Sequence, residues 1–352
     1  MSRCFAMVGG MVAVLAFCLG DRSPALAQSI YDPMAVPDAS KSSTIEPLDL
    51  TIDDGKRKRQ IPIRVYLPIE KSPAPVVMFS HGLGGSREGA SYLGRHWSSR
   101  GYVAVFLQHP GSDETVWRET PLMRRMSALK NAASVQNFKD RVSDVGVVID
   151  GLEKLNASEN ASDNASDNAS DNALDSGKLA GRLDLKRLGM SGHSFGAVTT
   201  QAVSGQRHPI GDLTDKRIKA ALILSPSGPR NGVMSAGRAF GDVRTAWMLM
   251  TGTNDDSPIG ETTPQARLEV FPALPPGNKF ELVLKDGQHS AFSDHKLAAE
   301  KPQRNPQHWN TILALSTAFW DTYLREDAGA KRWLMSDEVQ TVLSPGDRWQ
   351  KK

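Results

Sequence analysis

A series of short apolar runs, each followed at once by a polar or glycine-rich loop, constrains the fold of this chain most. Continuous apolar runs of this length are typical of strands buried on both faces of a parallel sheet. The runs with their loops are PAPVVMFSHGLGG, YVAVFLQHP, LKRLGMSGHSFG, IKAALILSPSG, AWMLMTGTNDD and KFELVLKDGQH.

Helices are predicted between these runs and after the last one. Residues 87–100 look helical, apolar residues from Val142 to Leu155 recur at spacings of three and four, and 306–324 form a closing helix. Two alternating segments, LDLTI and IPIRVYL, predict a pair of strands before the first run. The alternation predicts an α/β fold with a mostly parallel, doubly wound sheet and helices on both faces. Functional loops then lie at the carboxyl ends of the strands.

Residues 1–27 differ from the rest of the chain. Arg3 precedes an apolar run from Phe5 to Leu19, and the segment ends in small residues up to Ala27. This order is typical of a secretory signal peptide, and the run falls short of the roughly 20 apolar residues that a membrane span needs. We expect cleavage near Ala27 and a secreted or periplasmic mature domain of residues 28–352; the alternative is an uncleaved N-terminal anchor.

Cysteine content and charge exclude several classes of site. Cys4 and Cys18 are the only cysteines, so the mature chain would hold no disulfide, thiol nucleophile or thiolate metal site. The net charge of +3 is too small to indicate a basic surface that binds polyanions, and we expect no nucleic-acid partner. No phosphate-cradling G-x-x-x-x-G-K-[ST] pattern and no paired metal carboxylates are present, and we expect neither a metal nor another cofactor.

Residues 156–175 interrupt the pattern with the repeat NASENASDNASDNASDNALD. The repeat is acidic and almost free of large apolar side chains, so it buries too little surface to offset the entropy of ordering. We expect a disordered, low-complexity insert between a helix and a strand of the main domain.

The pentapeptide GHSFG places Ser194 between Gly192 and Gly196. A surface serine needs no such framing. A serine at a sharp strand-to-helix turn does, because its backbone is strained and its neighbours must lack bulk. A buried strand precedes Ser194 and the helical stretch FGAVTTQAV follows it, which is the setting of a nucleophile elbow.

A serine nucleophile needs a base to take its proton and an acid to orient that base. The loop TGTNDD supplies Asp255, with Asp256 as a rival acid, and the next strand ends in GQHS with His289. This is the chain order serine, acid, histidine that such elbows use. Three other downstream histidines precede the acid or lie farther from a strand end: His208, His295 and His308.

The loop SHGLGG at residues 80–85 follows an earlier buried strand. Its glycines allow backbone N–H groups to turn toward a bound oxygen, and such a loop supplies one oxyanion-hole donor. The second donor is the N–H after the nucleophile. The sequence therefore predicts donors at Leu83 and Phe195.

These motifs resemble the α/β-hydrolase superfamily, and more closely plasma-type platelet-activating-factor acetylhydrolase and its bacterial dienelactone-hydrolase-like relatives. The resemblance rests on FSHGLGG, RGYVAVFLQHPGSD, GHSFG, GTNDD and GQHS, within residues 47–324. It implies an α/β-hydrolase fold, a catalytic triad of Ser194, Asp255 and His289, and backbone donors at Leu83 and Phe195. Ala197 departs from the second glycine that many members have after the elbow.

The resemblance further implies an exported serine hydrolase that cleaves carboxylic esters, of short-acyl or phospholipid type, through an acyl-enzyme and without a metal. One alternative is a lactone hydrolase of the dienelactone type, although those enzymes typically use a cysteine. Another is a non-catalytic binding module on the same fold, and a third is a peptidase.

The segment PLMRRMSALK at 121–130 carries an apolar stripe opposite a basic face. The stripe consists of Leu122, Met123, Met126 and Leu129. It fits a lid or a transient contact with a membrane surface. Such a stripe more often packs against the body of a protein, and we expect packing here.

Overall fold

The computed structural model describes Met1 and residues 31–35, 46–158, 177–229, 233–260, 262–296, 300 and 304–352. Contacts divide the chain between Tyr31 and Asp32, and every element described below lies in Asp32–Lys352. The predicted signal peptide lies outside the described residues, apart from Met1. Within the described residues, no helix has the length and apolar character to cross a membrane.

One mixed sheet forms the centre of the fold, with nine strands among the described residues in the order β1-β2-β4-β3-β5-β6-β7-β8-β9. The strands are β1 Leu48–Asp54, β2 Arg59–Tyr66, β3 Ala74–Ser80, β4 Val103–Leu107, β5 Leu183–His193, β6 Ile218–Leu224, β7 Ala246–Asn254, β8 Lys279–Gln288 and β9 Arg348–Lys351. Neighbouring strands from β4 to β8 run parallel, whereas β1, β2 and β9 add antiparallel pairs at the edges. The predicted α/β fold with a mostly parallel sheet is confirmed.

Helices connect the strands in the described part of the chain. They are α1 Ser91–Ser99, α2 Thr115–Arg118, α3 Arg125–Ala132, α4 Val135–Ala157, α5 Phe195–Val203, α6 Ala236–Phe240, α7 Pro264–Leu268, α8 Val270–Ala273, α9 Gln307–Leu324 and α10 Ala328–Met335. The predicted helices at 87–100, 142–155 and 306–324 correspond to α1, α4 and α9. Both α10 and β9 were missed at the sequence level.

Neighbouring residues of β4 show why helices cover both faces of the sheet. Val105 belongs to the apolar cluster that includes Ile149 of α4. Its neighbour Phe106 packs instead against Trp97 of α1, with ring centroids 6.3 Å apart. Because successive side chains of a strand point to opposite faces, α4 and α1 lie on opposite sides of the sheet. Because helices cover both faces of the sheet, both sets of side chains on β4 are buried, and the strand is apolar at every position.

The insert predicted at 156–175 needs a correction at its start. Asn156 and Ala157 belong to the last turn of α4 rather than to the insert. The side chain of Asn156 donates to the carbonyl of Leu183 and accepts from its N–H, both at 2.9 Å. These two bonds hold the end of α4 to the start of β5. Asn156 is therefore part of the folded domain, although its sequence looks like the first unit of the repeat. Residues 159–175 lie outside the described residues.

The apolar stripe predicted to pack is exposed on three of its four members. Leu122, Met123 and Met126 have exposed fractions of 75%, 94% and 48%. Leu129 alone turns inward and is half-buried. A short 3-10 turn at Leu122–Arg124 breaks the single helix that the spacing predicts. The expectation of packing is therefore wrong for most of the stripe.

Candidate active site

Ser194 lies at a sharp turn between β5 and α5. Its φ of 57° and ψ of −115° place a non-glycine residue in a sparsely populated region of backbone space. A Cβ on Gly192 would lie 2.3 Å from the carbonyl oxygen of Gly196, and a Cβ on Gly196 would lie 1.9 Å from that of Ser80. The two glycines therefore flank the serine because the turn leaves no room for side chains.

The structure brings the three predicted side chains Ser194, Asp255 and His289 together, although they are 34 to 95 residues apart in the chain. His289 Nδ1 lies 2.6 Å from Asp255 Oδ1, and His289 Nε2 lies 2.9 Å from Ser194 Oγ. We call these three residues the triad. A carboxylate only accepts, so Nδ1 carries the proton and Nε2 is free to accept from the serine hydroxyl. The arrangement suits proton transfer from serine to histidine.

Asp255 is fully buried at the carboxyl end of β7 and is held on several sides. Its Oδ2 accepts from the hydroxyl of Thr251 at 2.8 Å, and Arg267 Nε lies 3.2 Å from its Oδ1. Burial raises the pKa of Asp255, but the hydrogen bond from His289 and the charge of Arg267 outweigh burial and lower it. Asp255 is therefore ionised, whereas the rival Asp256 is exposed.

His193 and Arg267 support the triad and were not assigned a role from the sequence. His193 Nε2–H donates to the carbonyl of His289 at 2.9 Å, and the two rings lie 4.7 Å apart. Burial lowers the pKa of His193 to about 3, so it stays neutral beside His289. Arg267 also donates to the carbonyls of Ser225 and Pro226. His193 is inside the motif GHSFG, but no sequence signal pointed to Arg267.

The glycine-rich loop after β3 lies against the serine. A Cβ on Gly82 would be 3.4 Å from the Cβ of Ser194, so any side chain at position 82 would touch the serine. The N–H groups of Gly84 and Gly85 are bonded to Ser112 and Gly82 carbonyls at 2.9 and 3.1 Å. The predicted donor at Leu83 precedes these bonded groups in the same turn.

The second predicted donor lies on the other side of Ser194. Phe195 begins α5, and the first N–H groups of a helix have no partner within the helix. The N–H of Ser194 itself donates to Leu224 at 3.0 Å, which holds the elbow on the end of β6. A helix start favours negative charge because of the aligned peptide dipoles.

Behind the glycine-rich loop lies a second serine–histidine–aspartate array, which we call the buried relay: Ser80, His109 and Asp144. Ser80 Oγ lies 2.9 Å from His109 Nε2, and His109 Nδ1 lies 2.9 Å from Asp144 Oδ2. All three side chains are fully buried. Burial lowers the pKa of His109 to about 4, which keeps it neutral. His109 follows the apolar strand VAVFL, and Ser80 ends the apolar strand APVVMFS, so polar residues at strand ends were the available signal.

The described residues contain no group of three or more histidine, cysteine, aspartate or glutamate side chains placed to hold a metal ion. The bonds of the triad and of the buried relay run between their own members and neighbouring hydroxyl, guanidinium and carbonyl groups. His289 is bonded to both Asp255 and Ser194, and this geometry offers the chemistry of an activated serine.

Comparison with known families agrees with the fold. Residues 60–223 match the family described as platelet-activating factor acetylhydrolase, isoform II. The match includes the glycine-rich loop and the serine elbow, and ends before Asp255 and His289. No curated protein sequence matches the chain. The family match and the mostly parallel sheet together show that the chain resembles the α/β-hydrolases and, over residues 60–223, a family of acetylhydrolases.

Proposed function

We propose that the protein is a serine esterase that hydrolyses carboxylic esters through an acyl-enzyme. One observation carries the proposal: His289 bridges Asp255 and Ser194 at 2.6 and 2.9 Å on the strained elbow. The match of residues 60–223 to an acetylhydrolase family supports an ester substrate.

The reaction begins when Ser194 Oγ attacks the ester carbonyl carbon and its proton moves to His289 Nε2. The carbonyl electron pair moves onto oxygen, where the N–H groups of Leu83 and Phe195 stabilise the negative charge. Collapse of this intermediate expels the alcohol, which takes the proton from His289. Water then attacks the acyl-serine by the same route, and the acid and free Ser194 are released.

Asp255 keeps the imidazole of His289 in the reactive tautomer and stabilises the imidazolium that forms. Its lowered pKa supports this role, because the carboxylate stays charged throughout the working range of an esterase. Mutation of a comparable orienting aspartate in a serine protease lowers kcat by about 10⁴.

The proposed substrates are short-acyl esters or phospholipids with a short acyl chain. The exposed Leu122 and Met123 support transient contact with a lipid surface. Their segment reaches the glycine-rich loop through Leu129, whose Cδ2 would lie 2.6 Å from a Cβ on Gly84. Trp117 of the preceding α2 donates from its Nε1–H to the carbonyl of the same glycine at 2.7 Å. The exposed Arg124 adds positive charge beside the apolar side chains.

Export is part of the proposal and rests on residues 1–27 alone. Expression in a bacterial host with cell fractionation tests it, with N-terminal sequencing of the product. A mature chain that starts near Gln28 outside the cytoplasm is the expected result. An intact Met1 on all of the protein would contradict cleavage.

Hydrolysis of p-nitrophenyl esters of increasing acyl length tests the proposed activity. We expect turnover that falls with acyl length, and none above background for Ser194→Ala. A thermal melt of both proteins serves as the control for folding. Equal turnover by wild type and Ser194→Ala would contradict the proposal, as would a folded wild type that hydrolyses none of the esters.

Vesicle sedimentation tests the lipid contact separately, with Leu122→Ser/Met123→Ser as the variant. We expect wild type to sediment with anionic phosphatidylglycerol vesicles and the double variant to remain in solution. Hydrolysis of a soluble short-acyl ester is the matched control, because neither residue belongs to the triad. Equal sedimentation of both proteins would contradict the lipid contact.

A further inference from the structure

Arg141 of α4 is a fully buried cation that ends against the glycine-rich loop. Its Nη1 donates to the carbonyl of His81 at 2.7 Å, and its Nε donates to the hydroxyl of Ser112 at 2.8 Å. These acceptors are neutral oxygens. The charges of Asp144 and Asp113 favour the charged form of Arg141 only through space, whereas its hydrogen bonds go to neutral oxygens. A guanidinium buried in this way is costly and indicates a role for Arg141 at its site.

Three donors converge on the carbonyl of Gly82. They are His81 Nδ1–H at 2.6 Å, the N–H of Gly85 at 3.1 Å and Arg141 Nη2 at 3.4 Å. His81 Nε2 accepts from the N–H of His109 at 3.0 Å, and this bond fixes the tautomer that donates from Nδ1.

The carbonyl of Gly82 and the N–H of Leu83 belong to one peptide unit. A trans peptide is planar, so its C=O and N–H point in opposite directions. Holding the Gly82 oxygen therefore fixes the direction of the Leu83 N–H. Donors on the carbonyl also polarise the same peptide unit and strengthen its N–H as a donor.

Arg141 also touches the segment that carries the second donor. Its guanidinium carbon lies 4.5 Å from the centre of the Phe195 ring, within the range of a cation–π contact. One side chain thus contacts the two segments whose N–H groups belong to Leu83 and Phe195. This contact gives a structural reason for the bulky aromatic ring of Phe195 in GHSFG.

We propose that Arg141 is the positioning residue of the oxyanion hole. It holds the Gly82–Leu83 peptide and the Phe195 ring in one fixed arrangement before substrate binds. The inference rests on the proposed esterase function and extends it to a residue outside the triad. Because an oxyanion develops only after attack, loss of Arg141 weakens binding of the transition state and not of the substrate.

The test compares Arg141→Lys and Arg141→Met with a matched arginine elsewhere. Arg325 donates to the carbonyls of Arg100 and Gly101 and lies 4.2 Å from the ring of Tyr102, at the opposite end of the strands. Arg325→Met therefore removes carbonyl and ring contacts of the same kind, together with an ion pair to Asp321 at 3.1 Å, without reaching the loop. Melting temperature and active-site titration with a fluorophosphonate give the folded, active fraction of every variant.

We expect both Arg141 variants to lower kcat by about 10–100-fold per active site, with KM within about 2-fold of wild type. Lysine keeps the charge but cannot span the carbonyl and the ring together. Affinity for a trifluoromethyl ketone, which forms a tetrahedral oxyanion on the serine, should fall by the same factor as kcat/KM. Arg325→Met should lower the melting temperature with kcat unchanged.

A wild-type kcat in Arg141→Lys, or a loss confined to KM, would overturn the positioning role. Ketone affinity that stays at the wild-type value while kcat falls would overturn it as well. Failure of the proposed function is a separate result, because wild type itself would then neither hydrolyse the ester nor bind the ketone. If Arg141→Met does not fold, Arg141→Lys decides the matter.

Discussion

The triad and the buried relay have the same chain of hydrogen bonds but differ at the serine. Ser194 is half-buried on a strained elbow, with φ of 57°. Ser80 is the last residue of β3, fully buried and extended. A serine–histidine–aspartate chain is therefore not enough to define a reactive site. Access to the hydroxyl and the backbone turn that presents it separate the two arrays.

The two arrays also differ in the charges around the acid. Asp144 accepts from Arg57 and Arg59, at 2.6 and 2.9 Å, as well as from the relay histidine. Burial raises the pKa of Asp144, but the hydrogen bonds from the relay histidine and Arg59 and the charge of Arg59 lower it to about 2. Asp255 has the single arginine Arg267 beside it. The buried relay thus joins the β1–β2 hairpin to α4, whereas the triad leaves its histidine free to take a proton.

The largest difference is expected for the two serines. Ser194→Ala should lower kcat by about 10⁵–10⁶-fold, since removal of a nucleophile disables the triad as a unit. Ser80→Ala should keep kcat within about 10-fold and lower the melting temperature, because it leaves the buried Nε2 of His109 without the hydroxyl that bonds it. Ester hydrolysis and thermal melts of the two variants check this. A dead but folded Ser80→Ala would show that the relay takes part in the reaction.

The two aspartates should differ in the same way as the two serines, with loss of activity for Asp255 and loss of stability for Asp144. Asp255→Asn should lower kcat by about 10⁴-fold with little change in stability. Asp144→Asn should lower the free energy of unfolding by about 3–5 kcal/mol, since it leaves two arginines facing a neutral group. Urea unfolding and kinetics of both variants measure the two effects. Equal losses of kcat per folded molecule would remove the distinction between the arrays.

Acid should unfold the protein through its buried histidines. Burial lowers the pKa of His109 and His96 to about 4 and that of His193 to about 3, against 6.5 in an unfolded chain. The unfolded state therefore binds more protons as the pH falls from 6.5 to about 4, and stability present above pH 6.5 is lost in that window.

Each such histidine contributes up to about 1.4 kcal/mol per pH unit to this slope. Urea unfolding at several pH values measures the slope, and His109→Gln should make it shallower by one proton. An unchanged slope in His109→Gln would mean that the relay histidine does not titrate on unfolding.

The smallest effect is expected at the neighbour of the triad acid. Asp256→Asn should change kcat by less than about 3-fold, because Asp256 is exposed while Asp255 alone contacts His289. Steady-state kinetics beside Asp255→Asn decide it. The reverse ranking of the two variants would move the orienting role to Asp256.

The sequence predicted the sheet and the three triad residues because each depends on local pattern. Apolar runs mark buried strands, and Ser194, Asp255 and His289 each follow one. Arg141 and Arg267 were missed because a charged residue inside a helix looks solvent-exposed in sequence. The exposure of Met123 was missed for a different reason. Periodicity shows that a helix face is apolar, but it does not show whether another part of the protein covers that face.

Covalent labelling with a fluorophosphonate, followed by peptide mass spectrometry, tests the central claim most directly. The reagent phosphonylates a serine only where base, acid and oxyanion donors act together. The account predicts one adduct per molecule, on Ser194, and none on Ser80. Absence of any adduct on folded protein, or an adduct on another serine with Ser194 unmodified, would contradict it.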